Sequence, residues 1–176
     1  MKTTLIPLVF VLILNLGCME ASFELDQIFE GCYNASYQSE GFDIKASIDA
    51  YEKVLITGGV LKDGSGDSYL DVFKKMMTTT DVQINAPSFQ SSSPWKKLDK
   101  TVIVAMFECE REMLELAKEK DPKWQYLITL FESPEANENP EVLYQTMKKK
   151  LSEKDLNSYY FKYKIFTLLD LANKQG

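Results

Sequence analysis

Apolar and polar positions divide the chain into a uniformly apolar start and a long stretch with helical periodicity. Leu5 to Leu16 is apolar except for Pro7 and Asn15, with Lys2 just ahead. A bilayer-spanning helix needs roughly 20 apolar residues. This run is shorter and fits the n- and h-regions of a secretory signal peptide over residues 1–17. Residues 18–44 are mixed and polar, with an apolar patch at Phe23, Leu25, Ile28 and Phe29. They read as a tether leading into a short helix. Ile44, Ile48, Tyr51 and Leu55 then recur every third or fourth residue, and Gly58-Gly59 ends that helix. Ser68, three before Asp71, is a capping-box-like start for a helix through Tyr69, Val72, Phe73, Met76 and Met77.

Further along, Val82 and Ile84 alternate with polar residues, which allows one short strand, and residues 86–94 form a loop. Residues 95–119 carry a stripe of Trp95, Leu98, Val102, Cys109, Met113 and Leu116 at helical spacing. Asp121-Pro122 and Asn139-Pro140 each combine an N-cap residue with proline at the first helical position. Ser152 caps a last helix from Leu156 to Leu171. That helix has two apolar faces. Phe161, Ile165 and Leu168 lie on one; Leu156, Tyr159, Tyr163 and Phe166 lie on the other. It is either the central helix or one whose outer face meets a partner. The expected fold is all-α, or mainly α with one short strand. It is a compact bundle of five to six helices, with residues 45–176 forming a single helical domain.

The leader ends in Asn15-Leu16-Gly17-Cys18, which resembles the lipobox of bacterial lipoproteins. Gly17 and Cys18 match that pattern, while Asn15 stands where leucine is usual. The resemblance implies a diacylglycerol anchor on Cys18 and an exported protein of the inner or outer membrane, facing the periplasm or the cell surface. The alternative is a secreted protein cleaved after Cys18 or Ala21. The mature chain, through Gly66 to Lys75 and the lipobox, is also similar to small exported lipoproteins of unknown function from Bacteroidetes-type bacteria, which implies an envelope location and no activity. Of the three cysteines, Cys32 and Cys109 remain once Cys18 is set aside. They form either one disulfide or two separate buried thiols.

Composition narrows the function classes. The chain of 176 residues is 45% hydrophobic, enough for a proper core, and its net charge is −6. Residues 18–140 carry 22 acids and 12 bases, whereas residues 141–176 carry 4 acids and 7 bases. This balance argues against nucleic acid as a partner. There is no histidine, which excludes Ser-His-Asp and Cys-His catalysis and histidine-dependent zinc sites. Gly58-Gly59 and Gly64-x-Gly66 lack the spacing and the following lysine of a phosphate loop.

The remaining candidates have ordinary explanations beside the functional ones. Asp63-x-Ser65-x-Asp67 has oxygen ligands at calcium-loop spacing, but Ser68 and Lys74 stand where glycine and a bidentate glutamate belong. It reads as a turn. Glu108, Glu112, Glu115 and Glu119 share one helix edge, either solvated or holding acid–base chemistry at Glu108 and Glu112. Asn34-Ala35-Ser36 is a glycosylation sequon. Tyr159, Tyr163 and Phe166, with Lys148, Lys149 and Lys150, form the candidate partner-contact element. The expectation is a non-catalytic interaction or scaffold module of the envelope, without cofactor or metal. Its partners would be the membrane, through the lipid anchor, and an unknown envelope protein. Alternatives are a carboxylate-dependent hydrolase centred on Glu108 and Glu112, or a carrier of a small apolar ligand.

Overall fold

A computed structural model describes residues 23–78, 86–89, 98–134 and 139–175. The signal-peptide region, Cys18, the candidate strand around Val82 and Ile84, and Trp95 lie outside the described residues. The first helical stretch, α1, runs without a break through Leu25–Ile28, a π-helical Phe29–Asn34 and Ala35–Ser39. There follow α2 (Ile44–Thr57), α3 (Gly66–Thr78), α4 (Lys100–Lys120), α5 (Pro122–Phe131), α6 (Pro140–Lys150), α7 (Glu153–Leu156) and α8 (Tyr159–Gln175). The fold is all-α, with eight helices and no strand among the described residues. None of the helices searched among those residues is long and apolar enough to cross a membrane.

Local sequence chemistry explains most boundaries. The side chains of Asp43, Asp99, Asp121 and Asn139 accept from the first-turn amides of α2, α4, α5 and α6. Pro122 and Pro140 occupy the first helical positions behind two of those caps. Ser152 and Asp155 complete a reciprocal capping box, but the helix it starts stops at Leu156. Ser158 is the reason. Its buried hydroxyl donates to the Asp155 carbonyl and accepts from the Phe161 amide, ending α7 and starting α8. Ser68 also departs from expectation. The helix begins earlier, at Gly66, and the Ser68 hydroxyl instead accepts the Lys62 amide of the preceding loop.

α8 is the central helix. It packs against α1, α2, α3 and α7, and it buries Phe161, Tyr163, Ile165, Phe166 and Leu169. Aromatic rings line its flanks. Tyr163 and Phe166 meet Tyr33, Phe89 and Tyr51 at centroid distances of 4.7 to 6.1 Å. This placement removes Tyr163 and Phe166 from the expected contact element, because both are core. Residues 23–39 are likewise more than a tether, since Phe23, Leu25, Ile28, Phe29, Cys32, Tyr33 and Tyr37 are all buried.

A disulfide joins Cys32 to Cys109, with a Cα–Cα separation of 5.6 Å and a sequence separation of 77. It staples α1 to α4. A crosslink of this kind stabilises a domain by about 2–4 kcal/mol.

Gly66 is the tightest glycine position among the described residues. A Cβ there would stand 2.5 Å from Leu156 Cβ and 2.9 Å from Glu153 Oε2. Gly66→Ala should therefore lower stability by about 1–3 kcal/mol in urea unfolding. Gly31→Ala, on a helical position with nothing within 4 Å, should be neutral or stabilising by up to about 1 kcal/mol. Equal effects at the two positions would contradict this packing.

Candidate functional site

The buried arc of α4 is Met106, Glu110 and Ala117. The stripe expected from the sequence lies to one side of it, with Val102, Cys109, Met113 and Leu116 only half-buried. The shift arises because a carboxylate, Glu110, occupies the centre of the inward face. Burying a charge is costly unless it is paired and hydrogen-bonded, and Glu110 is both. The Tyr33 hydroxyl donates to its Oε2 and the Tyr160 hydroxyl to its Oε1. The Lys164 ammonium pairs with Oε1 at 2.5 Å and donates to the Tyr33 hydroxyl at 3.0 Å. Lys164 also lies 5.3 Å from the Tyr33 ring centre and 5.4 Å from that of Tyr160.

Three elements bring these groups together. Cys32 and Tyr33 come from the π-helical turns of α1, which bury Phe29, Cys32, Tyr33 and Asn34 on one wide face. Such turns often mark functional positions. Cys109 and Glu110 are adjacent on α4, so the disulfide and the Tyr33–Glu110 hydrogen bond form neighbouring rungs, each spanning 77 residues. α8 supplies Tyr160 and Lys164, one turn apart.

The cluster opens onto a groove with a volume of about 610 Å3. Phe73 and Met77 of α3, Leu114 of α4, and Trp124, Leu127, Ile128 and Phe131 of α5 line it. Leu143 and Met147 of α6 and Phe161, Ile165 and Leu168 of α8 complete most of the apolar wall. Glu110, Tyr160, Lys164, Thr167 and Glu132 are its polar members. Met77, Phe131 and Leu168 are large apolar side chains left exposed here. The volume falls within the range of small-molecule sites, about 300–1,000 Å3. A shallower notch of about 420 Å3 lies on the far side of α5, against Pro122, Tyr126 and Leu130.

The other sequence candidates are dispersed. Glu108, Glu112, Glu115 and Glu119 are exposed, and Glu115 pairs with Lys118, which also reaches Glu132. Glu108 and Glu112 do not line the groove described above. The Asp63 carboxylate is engaged by the Ser65 amide and hydroxyl in a local turn, which hold its pKa low. Asn34 of the sequon is buried, and its amide donates to Glu30. Tyr159 is half-buried, and its hydroxyl donates to Asp49 at 3.3 Å. Lys148, Lys149 and Lys150 are exposed on α6, with Lys148 3.7 Å from Asp67 and Lys150 over the Tyr126 ring. A second polar cluster joins Glu52, Tyr69 and Lys162, with a Lys162–Glu52 distance of 2.8 Å.

Glu110, Tyr33 and Lys164 escape a sequence reading because acids and lysines default to the surface. One signal was present. If Cys32 and Cys109 are bridged, the residues after them must lie close together, and a tyrosine facing a glutamate there is a hydrogen-bonded pair.

No family model, curated protein or solved structure matches this chain.

Burial raises the pKa of Tyr33, Tyr163 and Tyr69, and Glu110 beside Tyr33, Tyr37 beside Tyr163 and Glu52 beside Tyr69 add to the rise. Burial pushes Tyr37 up to about 12, with its hydrogen bond to Tyr163 acting the other way. An unfolded tyrosine ionises near pH 10. The stability these groups provide is therefore complete below about pH 10 and is lost as pH rises toward the folded-state values. In an alkaline titration, the buried tyrosines should ionise together with the loss of helical circular dichroism. Titration of all nine tyrosines near pH 10, with helicity intact, would contradict this.

Proposed function

We propose that this chain is an exported, lipid-anchored envelope protein that binds a small apolar ligand without transforming it. The observation that carries the reading is the groove. It offers about 610 Å3 of mostly apolar space beside one polar cluster, a combination usual for ligand sites. Export and anchoring are supported by the apolar leader and by Gly17-Cys18 directly after it. Tyr163 and Phe166 of the expected contact element are buried in the core, which favours the groove over the face of the last helix as the binding surface. Lys148, Lys149 and Lys150 remain exposed on a wall helix of the groove. That position suits a surface held near anionic headgroups.

Two experiments test the parts separately. Metabolic labelling with a fatty-acid probe in a bacterial host should label the protein, and Cys18→Ser should abolish the label. An unlipidated mature N-terminus at Met19 or Ser22 would contradict anchoring. For the groove, the purified protein should bind an uncharged fluorescent aromatic probe. Ile128→Trp, which adds bulk at a half-buried lining position, should weaken that binding about tenfold or more, a loss of about 1.4 kcal/mol. Undiminished probe affinity in a folded Ile128→Trp protein would move the ligand site elsewhere.

A further inference from the structure

Hydrogen-bonding capacity at the polar part of the groove is unevenly used. Both oxygens of Glu110 are engaged, Oε2 by Tyr33 and Oε1 by Tyr160 and Lys164. The Tyr33 hydroxyl gives its proton to Glu110 and accepts one from Lys164. Lys164 has capacity left. An ammonium group has three donors, and among the described residues its hydrogen bonds and ion pair lead only to Glu110 and Tyr33. Its side chain is 33% exposed, whereas that of Glu110 is 9%. A ligand lying in the groove therefore meets a charged donor, backed by a carboxylate already in use. The other acid of the lining, Glu132, is paired with Lys118 at 3.2 Å.

We infer that the groove takes a single-chain acyl compound. Its hydrocarbon chain lies along Leu114, Leu127, Leu143 and Met147, and its carboxylate or ester carbonyl oxygen accepts a hydrogen bond from Lys164. The inference rests on the groove being the ligand site. Acceptor chemistry follows from the spare donor. A cationic head in the same place would meet the Lys164 ammonium with no uncommitted carboxylate to offset it, and like charges in a site of reduced dielectric repel strongly. An apolar molecule without a head would leave the spare donor facing hydrocarbon, which is unfavourable for a polar group. Free fatty acids and monoacyl esters share the required carbonyl oxygen and single chain.

The test is displacement of the uncharged aromatic probe from the full exported protein. Dodecanoic acid, 1-monododecanoylglycerol and dodecylamine are compared below their aggregation concentrations. At least one acyl compound should displace the probe at a concentration about tenfold or more below that of dodecylamine, the effect of a hydrogen bond to a charged group. Tighter binding of the acid identifies free fatty acid as the source. Tighter binding of the ester identifies a glyceride. Dodecylamine equal to or better than both would overturn the inference while leaving the groove as a ligand site. Failure of the probe and all three amphiphiles to bind would overturn the groove reading and the inference with it. Lys164→Met, which keeps the apolar stem and removes the donors, should abolish the tenfold preference over the amine or reverse it, because Glu110 then lacks its cation. A folded Lys164→Met protein that keeps the tenfold preference would also overturn the inference. If that variant does not fold, the comparison on the unaltered protein still decides.

Discussion

The structure depends on one buried carboxylate. Glu110 sits where α1, α4 and α8 meet, and an ionised acid there is tolerable only if its oxygens are satisfied. Tyr33 from α1 and Tyr160 and Lys164 from α8 satisfy them. The position of each helix is therefore constrained by the same charge. The Cys32–Cys109 disulfide holds the neighbouring rung covalently and so fixes α1 against α4. The π-helical turns at Phe29–Asn34 belong to the same solution, since they carry Phe29, Cys32 and Tyr33 inward together.

A charged centre in an otherwise apolar region has a second consequence. The walls of the groove are mostly hydrocarbon, while its polar members are tied into fixed pairs. Apolar burial supplies non-directional affinity in proportion to area. The fixed ammonium supplies direction, because a hydrogen bond to it depends on geometry and on an acceptor. The other polar clusters noted among the described residues lie apart from the groove. Glu52, Tyr69 and Lys162 form a similar paired cluster, but none of them lines the groove. Asp155, pushed up by burial and brought below its usual range by Ser152 and Lys123, anchors the start of α7.

Much of the fold was legible in the sequence where local chemistry decides. Asp121-Pro122 and Asn139-Pro140 start α5 and α6, because a cap and a proline act within a single turn. The two-sided apolar pattern of the last helix marks it as central, and α8 is buried on both sides at Phe161, Ile165, Tyr163 and Phe166. The break at Ser158 was not legible, since its hydroxyl competes for backbone groups in a way that neighbouring residues do not signal. Nor was the inward face of α4. Periodicity counts apolar residues, so it passed over Glu110 and placed the stripe one position aside. The candidate site was least legible of all, because its polar members, Tyr33, Glu110, Tyr160 and Lys164, come from three helices far apart in the chain.

The most direct measurement of the central claim is a map of dodecanoate binding by NMR on isotope-labelled protein. The account predicts shifts concentrated at the methyl groups of Leu114, Leu127, Leu143 and Leu168 and at the Lys164 side chain, with Val54 on α2 unaffected. Shifts confined to the notch at Tyr126 and Leu130, or spread evenly over the surface, would contradict it.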